Sequence, residues 1–254
     1  MPFLTNVSLS SDAPEESDEY PLGIPAIRDL RESMLRFHPK CTFLVGENGS
    51  GKSTLLEGIA DRWGYSREGG SRTRNLYAQE LWSDLGPMLY LNRKPGCNPM
   101  DGFFLRAESF FNFATMLDEF EEDAYTADGY FSYGGKSLHA QSHGESFLTL
   151  FKMRFHGDGV YILDEPEAAL SPQRQLAFLV RMNDLIKDNS QFIIATHSPI
   201  LLGYPEATIY ELDEFGIKEI GYEESQPYQI TSRFLKDRER MLDYLLNDDD
   251  EEDL

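Results

Sequence analysis

The sequence predicts an α/β fold: a mostly parallel central sheet flanked by helices, with a small helical and loop-rich subdomain. Two stretches carry the prediction. Cys41–Val45 is a short apolar run followed by a glycine-rich loop and a helical pattern, and residues 159–195 alternate strand, helix and strand. Strands that alternate with helices pair in parallel, with helices on both faces. Composition is the third observation. Of 254 residues, 41% are hydrophobic and 26% charged, which excludes global disorder and supplies a substantial core.

Residues 3–9 read as a strand and 10–25 as an acidic, Pro-containing loop. Ile27, Leu30, Met34 and Phe37 recur at helical or mixed spacing, so 27–37 stays open between helix and strand. Cys41–Val45 predicts a buried strand, and Ser53–Trp63 a helix that turns Leu55, Leu56 and Ile59 toward a core. Residues 64–102 hold many glycines and prolines and read as irregular with a few short elements. A strand is expected at 103–107, an aromatic-faced helix at 110–122 and a loop at 123–142. Beyond them come helix 144–155, strand 159–163, helix 172–187 and strand 191–195. The expected organisation is one domain over 1–254, with an inserted lobe at about 64–145 and an acidic tail at 247–254.

Charge and cysteine usage narrow the function class. There are 23 basic and 44 acidic residues, a net charge of −21. Asp12, Glu15, Glu16, Asp18 and Glu19 form one acidic run and Asp248 to Asp253 another; such runs read as solvated segments. An anionic surface repels phosphates and opposes non-specific nucleic-acid binding. A local basic island (Arg62, Arg67, Arg72, Arg74, Arg93, Lys94, Arg106) is the one hint of an anionic partner such as DNA. Two cysteines, Cys41 and Cys97, exclude a disulfide framework and a Cys-rich zinc site, and no histidine has metal-ligand spacing. No apolar run reaches the ~18 residues of a membrane span, and the N-terminus has no secretory pattern. The expectation is a soluble, cytoplasmic protein for which a membrane partner is disfavoured.

Four motifs carry chemistry. Gly46-Glu47-Asn48-Gly49-Ser50-Gly51-Lys52-Ser53 matches G-x-x-x-x-G-K-[ST], and Thr54 follows it into the helix. Its glycines let backbone N–H groups turn toward phosphate oxygens at a helix N-terminus. Lys52 would bridge the β- and γ-phosphates, and Ser53 would ligate Mg²⁺. The strand Val160–Leu163 ends in Asp164, placed for the Mg²⁺ shell, and Glu165, placed to polarise an attacking water. His197 closes the next apolar strand, within reach of a γ-phosphate. Gln141-Ser142-His143-Gly144-Glu145-Ser146 is a polar loop feeding a helix N-terminus, a weak anion-site pattern by itself.

In this order the four motifs resemble ABC-type ATPases, over about residues 40–215. The resemblance makes Gly46–Ser53 the Walker A loop, Asp164-Glu165 the Walker B acid and catalytic glutamate, and His197 the switch histidine. Ser142 to Glu145 becomes a divergent signature loop, with His143 and Gln141 replacing the usual glycine and leucine. The run Glu165–Pro172 looks most like the RecF, OLD and SMC-head branch, and it carries Ser171 where transporters tend to have Asp. For the Q-loop glutamine, Glu108 (a further metal-shell candidate) and Gln79 both remain open. For the aromatic that stacks on adenine, Tyr20 and Phe3 are the candidates.

The resemblance implies ATP and Mg²⁺ as cofactors. It also implies a head-to-tail homodimer in which Ser142, Gly144 and Glu145 of one copy complete the ATP site of the other. The expected function is an ATP-hydrolysing, ATP-gated dimer clamp in DNA maintenance or anti-phage defence, with an effector or nuclease partner. The alternatives are the cytosolic ATPase subunit of a membrane transporter and a nucleotide-sensing module with little turnover.

Overall fold

The computed structural model describes residues 3–14, 18–66, 83–106, 151–152 and 154–247. In chain order the elements are β1 (Leu4–Leu9), α1 (Pro25–Asp29), β2 (Leu35–Arg36), β3 (Cys41–Val45), α2 (Lys52–Trp63), β4 (Leu89–Arg93) and β5 (Asp101–Arg106). They continue as β6 (Gly159–Asp164), α3 (Pro172–Lys187), β7 (Gln191–Ala195), α4 (Pro199–Leu202), β8 (Ala207–Asp213), β9 (Gly216–Ile220), α5 (Gln226–Lys236) and α6 (Arg238–Asn247).

The main sheet has the order β5-β6-β7-β3-β8-β9. Every pairing in it is parallel except β8–β9, an antiparallel hairpin. The apolar runs of β3, β6 and β7 follow from burial on both faces. Because successive side chains alternate, Phe43, Leu163 and Ile194 pack on one face with Phe178, Met182 and Leu185 of α3. Leu44, Ile162 and Ile193 face the other way, onto Leu55, Leu56 and Ile59 of α2.

A second, antiparallel sheet (β2-β1-β4) sits on the α2 side. Gln191, fully buried at the start of β7, joins it to the main sheet. Its Oε1 accepts from the N–H groups of Phe3 and Leu4 at 3.0 and 2.9 Å. Its Nε2 donates to the carbonyls of Leu4 and His38 at 2.8 and 3.1 Å. One side chain thus satisfies four backbone groups, two N–H and two carbonyls, where the two sheets meet.

Several sequence expectations resolve here. Residues 27–37 are neither one helix nor one strand: α1 ends at Asp29, and β2 pairs Leu35 and Arg36 with Val7 and Asn6. Within the 64–102 region, β4 pairs with the whole of β1, and β5 is an edge strand of the main sheet. The helix at 110–122 and the loop at 123–142 lie outside the described residues. Of the helix expected at 144–155, residues 151–152 and 154 are described and helical. The hairpin β8–β9 and the helices α5 and α6 have no counterpart in the sequence reading.

Candidate nucleotide site

The site forms at the carboxyl ends of β3, β6 and β7, the edge where ligands bind in open α/β sheets. After β3 the chain turns through three glycines with positive φ: Gly46 (146°), Gly49 (87°) and Gly51 (99°). Gly46 allows no side chain, because a Cβ there would lie 2.2 Å from the carbonyl oxygen of Leu212. Gly51, in the left-handed region, is the N-cap of α2, so the unpaired N–H groups of the helix start open into the loop. Lys52 is 4% exposed, and its Nζ donates to the carbonyls of Gly46 and Glu47 at 2.7 and 2.8 Å. Burial lowers its pKa, while Glu165, Asp164 and Glu167 oppose that shift.

Ser53, one residue on, donates through Oγ to Asp164 Oδ1 at 3.2 Å. This hydroxyl and carboxylate form a hard-oxygen donor pair beside the phosphate loop. They fit Mg²⁺, which keeps several waters and takes one or two protein oxygens plus phosphates. Asp164 is buried, and desolvation pushes its pKa up to about 6; the Ser53 hydrogen bond and Arg106 act in the opposite direction.

Arg106 was grouped with the basic island. It ends β5 in register with Asp164, with Nε 3.7 Å from Asp164 Oδ2 and Nη1 2.6 Å from Glu57 Oε1. Arg93, from the same island, lies 4.2 Å over the Trp63 ring. Arg106 thus serves the site, while Arg93 stays exposed over the Trp63 ring; Arg67, Arg72 and Arg74 lie outside the described residues.

Glu165 adopts φ 50° and ψ 52°, a left-handed conformation uncommon for a non-glycine residue, and Pro166 follows it. The backbone turns out of the strand, leaving the Glu165 side chain about two-fifths exposed, with Oε1 3.7 Å from His197 Nε2. Burial and Lys52 lower the His197 pKa, against the pull of Glu165. Glu47, Asn48, Glu165 and His197 line one open cleft of about 560 Å³. The sequence named these residues singly, and the fold brings them together.

Glu167 was not singled out. It sits in the turn after Pro166, with Oε1 accepting the His197 N–H at 2.6 Å, and burial raises its pKa. Ser171 N-caps α3 by accepting from the Arg174 N–H at 3.4 Å, which gives this serine a local role where the resemblance leads one to look for Asp. Of the two aromatics considered for adenine, Phe3 is excluded: it is 2% exposed and belongs to the core. Tyr20 is exposed, with its hydroxyl 3.4 Å from Thr54 Oγ1 at the start of α2. Glu108, Gln79, Ser142, Gly144 and Glu145 lie outside the described residues.

Two family models match the chain. One, described as "AAA domain", matches residues 22–75 and includes the phosphate loop. The other, described as "AAA domain, putative AbiEii toxin, Type IV TA system", matches residues 145–203 and includes Asp164, Glu165 and His197. No curated protein matches. Similar solved structures include the SMC head domain from Thermotoga maritima, at 16% identity over 87% of this chain and 98% of that one, with a TM-score of 0.44. An SMC head bound to the C-terminal winged-helix domain of ScpA is 15% identical over 86% and 98%, with a TM-score of 0.45. "An inward-facing conformation of a putative metal-chelate type ABC transporter" is 16% identical over 75% and 76%, with a TM-score of 0.47. No described helix is long and apolar enough to cross a membrane.

Proposed function

From a P-loop NTPase fold of the ABC type, we propose a cytoplasmic Mg-ATPase that works as an ATP-gated homodimer clamp of the SMC/RecF-like branch. Residues 46–54 hold the triphosphate, with Lys52 supplying positive charge at its β- and γ-phosphates. Ser53 and Asp164 hold the Mg²⁺, which neutralises phosphate charge when bound. Glu165 orients and deprotonates the attacking water, and His197 donates to the γ-phosphate. The observation that carries this reading is the convergence of Lys52, Ser53, Asp164, Glu165 and His197 from three strand ends.

The openness of the cleft favours a dimer. Glu165 and His197 are each about two-fifths exposed, whereas phosphoryl transfer gains from excluding water. A second copy placed over the cleft, bringing its Ser142, Gly144 and Glu145, would close it. Hydrolysis would then remove the group that joins the halves. The setting we propose is anti-phage defence or DNA maintenance, with an effector partner; one matching family model carries a toxin–antitoxin description.

The test is the solution mass of Glu165→Gln with and without Mg-ATP, beside phosphate release by the wild type. A monomer-to-dimer shift with ATP, and turnover lost in the variant, is the expected result. Equal turnover in both proteins and no change of mass would overturn the clamp and leave a nucleotide-binding module.

A further inference from the structure

We propose that Glu167 is a positioning residue for the switch histidine, its carboxylate standing in for a sheet carbonyl that the turn at Glu165 removes. The parallel ladder between β6 and β7 reaches Asp164, paired with Ala195. One step further it is half complete: the Glu165 N–H donates to the Ala195 carbonyl at 2.9 Å. In a continuing parallel ladder the Glu165 carbonyl would accept the N–H of His197. The left-handed backbone at Glu165 turns that carbonyl into the following turn, where it accepts from the Ala168 N–H at 3.1 Å. The His197 N–H would be left without an acceptor, and Glu167 Oε1 supplies one at 2.6 Å.

The turn that aims Glu165 at the nucleotide and the bond that holds His197 opposite it therefore belong to one device. The rest of the histidine loop is fixed independently. The Thr196 N–H donates to Leu44 O at 3.1 Å, the Ser198 N–H donates to Thr196 Oγ1 at 3.0 Å, and Ser198 Oγ donates to Gln175 Oε1 at 2.5 Å. The His197 N–H, by contrast, has Glu167 Oε1 as its acceptor. The second carboxylate oxygen, Oε2, is buried and makes no direct hydrogen bond, while the Thr196 hydroxyl and the Glu167 N–H add to the stabilisation of the carboxylate. Glutamine can present the same acceptor to the His197 N–H, its carbonyl oxygen replacing Oε1.

This inference rests on the ATPase reading for its kinetic arm alone. Glu167→Gln is expected to keep kcat within about threefold of wild type, whereas Glu167→Ala loses about 100-fold in kcat with ATP affinity little changed. A misplacement of about 1 Å at a reacting group has a cost of that order. His197→Ala in the Glu167→Ala background should add little further loss, because the two changes remove one function. The second arm needs no turnover: in ¹⁵N-labelled protein, the His197 amide proton should resonate downfield in wild type and Glu167→Gln, and move upfield in Glu167→Ala. Should Glu167→Ala fail to fold, Glu167→Met removes the acceptor at similar volume and replaces it in both arms. An unmoved His197 amide, or a Glu167→Gln protein as slow as Glu167→Ala, would overturn the proposal. Absent turnover in wild type with the amide shift as expected would sink the ATPase reading and leave the positioning intact.

Discussion

Replacing Asp164 by Asn should make the nucleotide-free protein more stable while removing its response to Mg-nucleotide. The Asp164 side chain is 7% exposed, and burial moves its pKa from the usual 3.8 to about 6. The folded value lies above the unfolded one, so between these two values the folded state binds more protons and stability falls as pH rises. The penalty begins near pH 4, is complete above about pH 6, and amounts to about 3 kcal/mol at 1.36 kcal/mol per unit. Asn has nearly the shape of the neutral acid and carries no charge. At pH 8 in EDTA, Asp164→Asn should therefore gain about 2–3 kcal/mol, roughly 5–10 °C in Tm for a chain of this size. The gain should shrink to nothing near pH 4. Added Mg-ADP should raise the Tm of wild type but hardly that of the variant, because the carboxylate that holds the metal is gone. Thermal melts by circular dichroism across pH 4–8, with and without Mg-ADP, measure all three effects. Equal melting temperatures at pH 8 would refute the argument that Asp164 is kept charged and buried at the expense of stability.

Two further changes probe the scaffold. Gly46→Ala would place a methyl 2.2 Å from the Leu212 carbonyl at a φ of 146°, so nucleotide affinity by calorimetry should fall at least tenfold; unchanged affinity would mean that the loop is not held against β8 as described. Gln191→Leu keeps the volume but strips partners from Phe3 N–H, Leu4 N–H and the Leu4 and His38 carbonyls. At about 1–3 kcal/mol per unsatisfied buried group, with some relaxation, urea melts should show a loss of about 3–4 kcal/mol or more. Hydrogen exchange should then accelerate first in β1, and uniform acceleration across both sheets would argue against Gln191 as the specific joint.

Where the backbone obeys local rules, the sequence by itself determined the outcome. The spacing of glycines before Lys52 requires a loop of positive φ values leading into a helix, and Gly46, Gly49 and Gly51 adopt them. The strand at 41–45 and the helix at 172–187 coincide with β3 and α3, because burial on both faces and an N-cap with Pro at the first helical position are written in adjacent residues. Asp164, Glu165 and His197 were legible for the same reason, each terminating an apolar run.

Pairing across distance was left to the tertiary structure. β4 is a strand because β1 lies beside it, some eighty residues earlier in the chain, and nothing near Leu89 announces that partner. Arg106 looked like one more surface cation, but the register of β5 against β6 turns it onto Asp164. Phe3 offered an aromatic ring, and the junction between the sheets buries it. Gln191 and Glu167 carried no signal at all: each meets backbone groups that other segments leave unpaired, a debt that exists only once the chain has folded. Local geometry fixes which residues can do the chemistry, whereas the closing of hydrogen bonds and charges between distant segments decides which neighbours hold them in place.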